Sequence, residues 1–498
     1  MKKIDLFING QAVPSATGKY FKVINPATKE VVAEVAEGNE GDVEKAVASA
    51  LYAFQHANWA ADKDYRFRVL NKLAALLKES LPELVELESM MTGRPIREMK
   101  AQLSRLPEWY EYFASVLKTL DDFSPPFGGE YVNYTKRIPL GLVGIITPWN
   151  HPLLILTKKL APALAAGNAV VIKPSENTPV TTFFLAELAK EAGVPDGIIN
   201  VVQGYGAVVG KALTSNPALE KIDLTGGTET GRQAASLAGY NLAKVSAELG
   251  GKASVLILPD ADLEEAVNGA AFAAFIAAGQ TCVQGSRILV HESMYDQFIE
   301  RFIEKTRALT IGDPSEQETD IGPVISEKQY NQILNYIQIG LDGGATLAYG
   351  GSPPQEQGVE SGYFITPTIF TNVDNSMRIA QEEIFGPVTC VMKYSSVEED
   401  LVSIANNTEM GLAMSIWTNN IRDAHWLAGQ LEAGIVWIND HHRIDPSTPW
   451  GGFKDSGIGL ENSIQCFKDY TKIQNVIVNT SRNSFDWFDG SAQVKRYS

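Results

Sequence analysis

Residues Leu140–Thr178 read LGLVGIITPWNHPLLILTKKLAPALAAGNAVVIKPSENT, and this stretch decides the fold. LGLVGIIT is a short apolar run rich in β-branched residues, which predicts a buried strand. Apolar positions then recur at helical spacing from Leu153 to Ala166. AVVIK, residues 169–173, is a second short buried strand. Thr178 and Pro179 read as the N-cap and first-turn pair of another helix, which Gly193 and Pro195 end. The alternation continues with the strand IINVVQG, a helix, the strand KIDLTG, a helix from about Glu229, and KVSAELGG. Repeated β-α-β with nearly continuous apolar strands predicts a parallel sheet covered on both faces.

Outside that region the chain changes character twice. A second α/β unit opens near Ala253 with ASVLILPDAD and runs to about Lys454. Towards the N-terminus, helical spacing holds from Val43 to Phe54 and from Val69 to Met91. Between these parts lies DDFSPPFGGEYVNYTKRIP, residues 121–139. Its Pro-Pro, Gly-Gly and β-rich alternation predict a hairpin set apart from the main core. The chain ends in a β-rich stretch, KIQNVIVN, and a polar tail. No internal repeat is evident.

Bulk properties exclude several classes. At 498 residues and 45% hydrophobic content the chain is too long for one core, so two or three domains are expected. A formal net charge of −17 argues against broad nucleic-acid binding. It leaves room for a phosphate-bearing cofactor held by backbone amides. The longest strongly apolar run, Ala270–Ala278, is far short of the roughly 20 residues a membrane helix needs. Asp5, Asn9 and Gly10 interrupt any apolar signal core, so no secretory signal is expected. Cys282, Cys390 and Cys466 cannot make a disulfide framework, which points to a reducing, cytoplasmic protein. Among six histidines only His441 and His442 are neighbours, and no Cys/His group has zinc spacing. No metal is expected.

Several residues carry chemistry, each beside a plainer alternative. Cys282 closes FIAAGQTC, after an apolar helix and a Gly-Gln turn. A cysteine taken at random is more often structural, but this delivery suits a nucleophile, which would need a poised thiolate. Glu248 lies in SAELGGK at the end of a predicted parallel strand, where ligands collect. It is either a salt-bridged glutamate or a general base raised by burial. Asn150 ends TPWN, as a helix N-cap or as an amide donor to a developing oxyanion. Lys173 and Glu176, in IKPSE, are loop charges or contacts to ribose and phosphate. Gly226 and Gly231, in LTGGTETG, sit at a strand-to-helix turn suited to a pyrophosphate. The usual dinucleotide fingerprint is not clearly present.

Taken together, these motifs resemble the aldehyde dehydrogenase superfamily, in its hydrolytic, non-acylating branch. FINGQ, NPAT, TPWN, KPSE, ELGGK, GQTC, EEIFGP and PWGGFKDSGIG occur in the family's order, and the spacing from Glu248 to Cys282 also matches. The resemblance covers nearly the whole chain. It implies an α/β fold with a Rossmann-like parallel-sheet cofactor domain (1–120 and 140–250), an α/β catalytic domain (251–454) and a small β-rich oligomerisation element (121–139 and 455–498). A homodimer or homotetramer is implied.

The resemblance also implies roles. Cys282 is the nucleophile, Asn150 and the Cys282 amide form the oxyanion hole, and Glu248 activates the hydrolytic water. Lys159 and Glu461 match a buried pair that assists proton exit. The cofactor implied is NAD. Its contacts would be Thr147, Pro148, Trp149, Lys173, Ser175, Glu176, Gly206, Gly226, Gly227 and Leu249, with Glu383 and Phe385 at the nicotinamide end. The substrate pocket implied has His151, Ile155 and Lys158 on one wall and Val283 beside the nucleophile. His442, Ile444 and Trp450 face them, and Trp109 and Tyr112 close the entrance. Three departures stand out: Gly227 where Ser is common, Leu460 where Arg is common, and Lys158 where an aromatic or apolar residue is frequent.

A mostly apolar wall predicts a medium-sized aliphatic or aromatic aldehyde, each buried methylene adding roughly 0.8 kcal/mol. Semialdehydes come second and betaine aldehyde third. Lys158 could favour a carboxylate, but a lone lysine on a helix face is more often a solvated rim residue. A CoA-acylating enzyme would not need Glu248. A non-catalytic structural homologue would have lost these residues, and a thiol esterase would not need the nicotinamide contacts.

Overall fold

The computed structural model describes residues 2–120, 123–355, 358–482 and 488. The opening stretch forms the strand Leu142–Ile146, the helix Pro152–Ala166 and the strand Ala169–Lys173. Every residue of that helix is buried, because it is sandwiched between the sheet and the N-terminal helices Lys63–Thr92 and Leu106–Thr119.

An eight-stranded sheet organises the first half. Its order is Gly457–Ile458, Lys244–Glu248, Lys221–Thr225, Leu142–Ile146, Ala169–Lys173, Ile199–Val201, Leu6–Ile8 and Gln11–Val13. The five strands from Lys244–Glu248 to Ile199–Val201 run parallel, and the edges pair antiparallel. Leu142–Ile146 comes first in sequence among the five, and later strands add on both its sides. That makes the crevice between it and Lys221–Thr225 a topological switch point, where α/β sheets bind ligands. Thr225 is in register with Glu248, and Ile146 with Lys173. The four candidate loops therefore leave the sheet side by side.

The second half is built on a seven-stranded sheet from Thr346–Tyr349 at one edge to Ile435–Ile438 at the other, with Ala253–Ile257 and Gly285–His291 inside. All neighbours are parallel except Thr346–Tyr349. Each half has its own large apolar core. No helix among the described residues is long and apolar enough to cross a membrane.

Three local readings need correction. Thr178 does not cap the next helix: Pro179 holds the cap position, the helix is Val180–Ala192, and Thr178 Oγ1 is buried without a partner among the described residues. The 121–139 segment is not a hairpin. Tyr131–Pro139 pairs antiparallel with the distant Thr471–Asn479, from Thr471↔Pro139 to Asn479↔Tyr131. Residues 455–470 do not belong with that ribbon. Gly457–Ile458 extends the first sheet, and Cys466, Phe467 and Tyr470 enter the first core. Asp121, Asp122 and most of the polar tail lie outside the described residues.

Candidate active site

The helix Leu263–Phe275 ends in a turn in which Ala277, Ala278 and Gly279 all have left-handed backbones (φ 56°, 51° and 70°). Such conformations cost an L-residue roughly 1–2 kcal/mol each and persist only when the surroundings fix them. Here Gln280 does so: its Nε2 donates to the Ala277 carbonyl at 3.1 Å and its Oε1 accepts from the Ile325 amide at 2.9 Å. Gln284 Nε2 ties the far side to the Gly386 carbonyl at 2.6 Å. Gly279 cannot be replaced there, since a Cβ would stand 2.2 Å from the Gly386 oxygen. The pinned turn delivers Cys282. His441, which sequence reasoning passed over, contacts the Val283 carbonyl through Nε2 at 2.7 Å; burial keeps its imidazole down at about 4.

Glu248 is the last residue of its strand, and the Gly250-Gly251 turn follows. A Cβ on Gly251 would lie 2.0 Å from the Cys282 carbonyl oxygen, so the glycine lets the turn after Glu248 abut the Cys282 loop. The Gly251 amide donates to Glu383 Oε1 at 2.9 Å. Both carboxyl oxygens of Glu248 are buried with no hydrogen-bond partner among the described residues. Burial, then the Glu461 carboxylate, hold Glu248 well above the usual carboxylate range, against the opposing pull of Lys158 and Lys159.

Two cavities meet at Cys282. One, of about 320 Å³, is lined by Glu248, Lys158, Leu154, Ile155, Trp109 and Trp450 among others. The other, of about 210 Å³, is lined by Pro148, Trp149, Asn150, Gly226, Gly227, Leu249, Glu383 and Phe385. Cys282 lines both. Part of its surface opens onto them, but protein encloses it, and that enclosure pushes the thiol up to about 12, with Lys158 pulling the other way. Ionisation of this thiol therefore calls for a positive group or a proton acceptor beside it.

Asn150 is not a helix cap: His151 occupies that position. Asn150 Nδ2 instead donates to the Gln280 carbonyl at 3.0 Å, on the nucleophile loop. His151 Nδ1 lies 2.6 Å from the Arg94 guanidinium. A guanidinium can only donate, so Nδ1 accepts and the neutral ring carries its proton on Nε2. Burial, then Arg94, hold His151 far below the usual imidazole range.

Behind the first cavity lies a buried charge cluster. Lys159 Nζ contacts Asp223 and Glu461, both at 2.5 Å. Lys158 contacts the other Glu461 oxygen. Tyr470 donates to Asp223 at 2.5 Å, and Lys221 donates to Ser246 at 2.5 Å. Burial would raise Glu461, but the two lysines hold it down at about 2. Removing one member of such a cluster destabilises by about 3–5 kcal/mol.

Lys158 is the largest departure from the sequence reading. It is only 3% exposed, inside the cavity and not on its rim. Its neighbour Glu461 is 302 residues away from Lys159 in sequence, so no local pattern could reveal the pairing. Two other residues assigned to the pocket are not among those lining the cavity. Val283 is fully buried behind Cys282 against Trp437 and Trp450, and Tyr112 stacks edge-on to Phe113 away from the lining. Trp109 lines the cavity but is fully buried, with Nε1 donating to Asn462 Oδ1 at 2.8 Å, so it is wall and not entrance. His151, Ile155, His442, Ile444 and Trp450 do line the cavity.

The remaining cofactor candidates lie outside the second cavity. Thr147 and Ser175 are buried, and the Thr147 amide bonds the Lys173 carbonyl at 3.2 Å. Lys173 Nζ lies 3.2 Å from Glu176. Gly206 is exposed at the start of a wide turn. The structure adds Thr225, Gln329 and Gln332 to the second cavity; Gln329 Nε2 holds the Phe385 carbonyl at 2.9 Å, and Phe385 itself is left-handed (φ 57°). No group of three or more His, Cys, Asp or Glu among the described residues could hold a metal ion.

A partly open cysteine thus stands between two cavities, beside an unpaired buried glutamate. The model of the aldehyde dehydrogenase family matches residues 12–476. The betaine aldehyde dehydrogenase of Brucella anthropi is 42% identical over 482 residues, 96% of this chain and 98% of that protein. The betaine aldehyde dehydrogenase of Bacillus subtilis is 40% identical, over 97% of this chain and 99% of that one. The NAD+ complex of aldehyde dehydrogenase from Bacillus cereus superposes with a TM-score of 0.94 at 40% identity, covering 96% of this chain and 97% of that chain. The chain belongs to the aldehyde dehydrogenase family.

Proposed function

We propose that this enzyme oxidises a medium-sized neutral aliphatic or aromatic aldehyde to the carboxylic acid with NAD, through a thiohemiacetal and then a thioester on Cys282. The observation that carries this reading is that Cys282 lines both cavities at once. Sulfur bonds to the carbonyl carbon as the thiol proton passes to water in the first cavity, which leaves Glu248 free for the later step. The resulting oxyanion is met by the Cys282 amide and by Asn150, whose Nδ2 has a second N–H beyond the one given to Gln280. In the last step Glu248 takes a proton from the water that attacks the thioester. Glu461 and Lys159 pass that proton inward, away from the cavity.

The residues present fit a nicotinamide dinucleotide. Nothing stands within 4 Å of where a Cβ would lie on Gly226 or Gly227, and the helix Thr228–Tyr240 begins there with no side-chain cap. Its free amides suit a pyrophosphate. Glu383 and Phe385 would hold the nicotinamide end, and Lys173 with Glu176 the adenosine ribose. When bound, NAD supplies the hydride acceptor. Glu176 disfavours a 2′-phosphate, and Lys173 beside it partly offsets that repulsion, which yields a preference and not an exclusion.

The buried position of Lys158 favours a second reading, a carboxylate-bearing semialdehyde. It ranks second because the Lys158 ammonium is already committed to Glu461. Initial rates with hexanal, benzaldehyde and succinic semialdehyde, each with NAD and NADP, test both points. The neutral aldehydes with NAD should give the highest kcat/KM. A higher kcat/KM with NADP, or with the semialdehyde, would overturn the corresponding assignment.

The ribbon of Tyr131–Pro139 and Thr471–Asn479 exposes Val132, Ile138, Ile473, Ile477 and Val478. An apolar two-stranded ribbon is marginal alone, which supports its role in joining copies into a dimer or tetramer. Ile477→Asp should lower the sedimentation coefficient; an unchanged assembly would remove the ribbon from the interface.

A further inference from the structure

Both tryptophans that line the substrate cavity already carry a cation supplied by the protein. Lys158 Nζ stands 4.4 Å from the centre of the Trp450 ring. The Arg105 guanidinium carbon stands 5.9 Å from the Trp109 ring centre. These are cation–π distances, so one face of each indole is already occupied by a protein cation.

Three of the four acids of the cavity wall are paired with protein cations. Glu461 gives one oxygen to Lys158 and the other to Lys159. Glu98 is bound by Arg94, and Asp440 by Arg443 at 3.1 Å. The fourth, Glu248, is enclosed and held well above the usual carboxylate range. The wall therefore offers an incoming cation four protein cations (Arg94, Arg105, Lys158 and Arg443), while three of its four acids are paired with protein cations and only Glu248 is unpartnered.

We propose that Lys158, seated on the Trp450 face and tied to Glu461, is a specificity residue that rejects aldehydes bearing a fixed positive charge. A quaternary ammonium group donates no hydrogen bond. It can be recognised only through aromatic faces and negative potential. Here the protein's own ammonium fills that place, a repulsive element that acts on the wrong substrate without touching the reacting atoms. A neutral group of the same shape meets the same wall without the charge penalty. This inference rests on the first cavity being the aldehyde site. It separates the chain from the betaine aldehyde dehydrogenases it is 40–42% identical to.

The test uses two aldehydes of equal shape, trimethylammonioacetaldehyde and its uncharged carbon isostere 3,3-dimethylbutanal. In the wild type, kcat/KM should favour the isostere by about a hundredfold, and in Lys158→Met that ratio should fall by about tenfold or more, as the Trp450 face and one Glu461 oxygen come free. Taking the ratio cancels any loss common to both substrates. Equal kcat/KM values in the wild type, or an unchanged ratio in the variant, would overturn the proposal. A second measurement needs no turnover: the rate of Cys282 alkylation by iodoacetamide with tetramethylammonium chloride or sodium chloride. Tetramethylammonium should protect Cys282 in Lys158→Met and not in the wild type. Protection in the wild type, or none in the variant, would overturn the inference even if neither aldehyde were oxidised, a result that would by itself sink only the catalytic reading.

Discussion

Replacing Cys282 with alanine is expected to lower kcat by roughly 10⁴-fold or more, because the covalent route is lost entirely, while NAD affinity changes little. In the proposed mechanism the thiol forms the bond to the aldehyde carbon, whereas the second cavity takes most of its wall from Pro148, Trp149, Leu249, Glu383 and Phe385. Alanine also leaves the fold intact. The loop is held by Gln280, Gln284 and the Val283 carbonyl, none of which uses Sγ. NADH formation after mixing with aldehyde, and NAD titration by protein fluorescence, check the two halves. Substantial NADH from the variant would refute the mechanism. Cys390 and Cys466 are buried, and their replacement should leave kinetics nearly unchanged.

Glu248→Gln is the second large effect. The variant should form one equivalent of NADH per active site in a burst and then turn over roughly 10²–10⁴-fold more slowly, the usual contribution of a general base. Thioester formation does not draw on Glu248, whereas hydrolysis has no other base among the described residues that faces the cavity with both oxygens unpartnered. A linear progress curve at the wild-type rate would remove Glu248 from hydrolysis.

The pH dependence follows from the same residue. Only ionised Glu248 accepts a proton, and burial raises its titration. The steady-state rate should therefore climb with pH above the range of an exposed glutamate, and Glu248→Gln should flatten that climb. Stability runs the other way. The folded state binds this proton more tightly than the unfolded chain, so the contribution of Glu248 is full at acid pH and fades as pH rises through the folded value. Glutamine mimics the neutral acid, so the variant should melt at a higher temperature than the wild type on the alkaline side. Parallel melting curves at all pH values would contradict the burial argument.

Much of this was legible in the amino-acid order because the information is local. Apolar strands of about five residues, helical spacing between them, and small-residue turns at their ends specify elements within a few residues of each other. Those signals placed Glu248 at a strand end, Cys282 after a helix and Asn150 between strand and helix, where the fold holds them. What was misread shares a different property. Thr178 has the right chemistry for a cap, but the helix begins one residue later than its side chain could serve. Alternation in YVNYTKRI announced a strand correctly and could not say that its partner lay more than 300 residues away.

By itself, then, the sequence determined the alternating α/β architecture, the order of the chemical motifs and the positions of Cys282 and Glu248 at element ends, because period and turn chemistry act over a handful of residues. The tertiary structure alone decided that Lys158 lies inside the cavity and not on its rim, that Arg94 fixes the tautomer of His151, and that Cys282 stands where two cavities meet. Each of these depends on groups distant in the chain. Burial and pairing are properties of the packed whole: a lysine next to Glu461 and Trp450 is a fixed charge in the cavity wall, and the same lysine on an open helix face is solvent-borne charge.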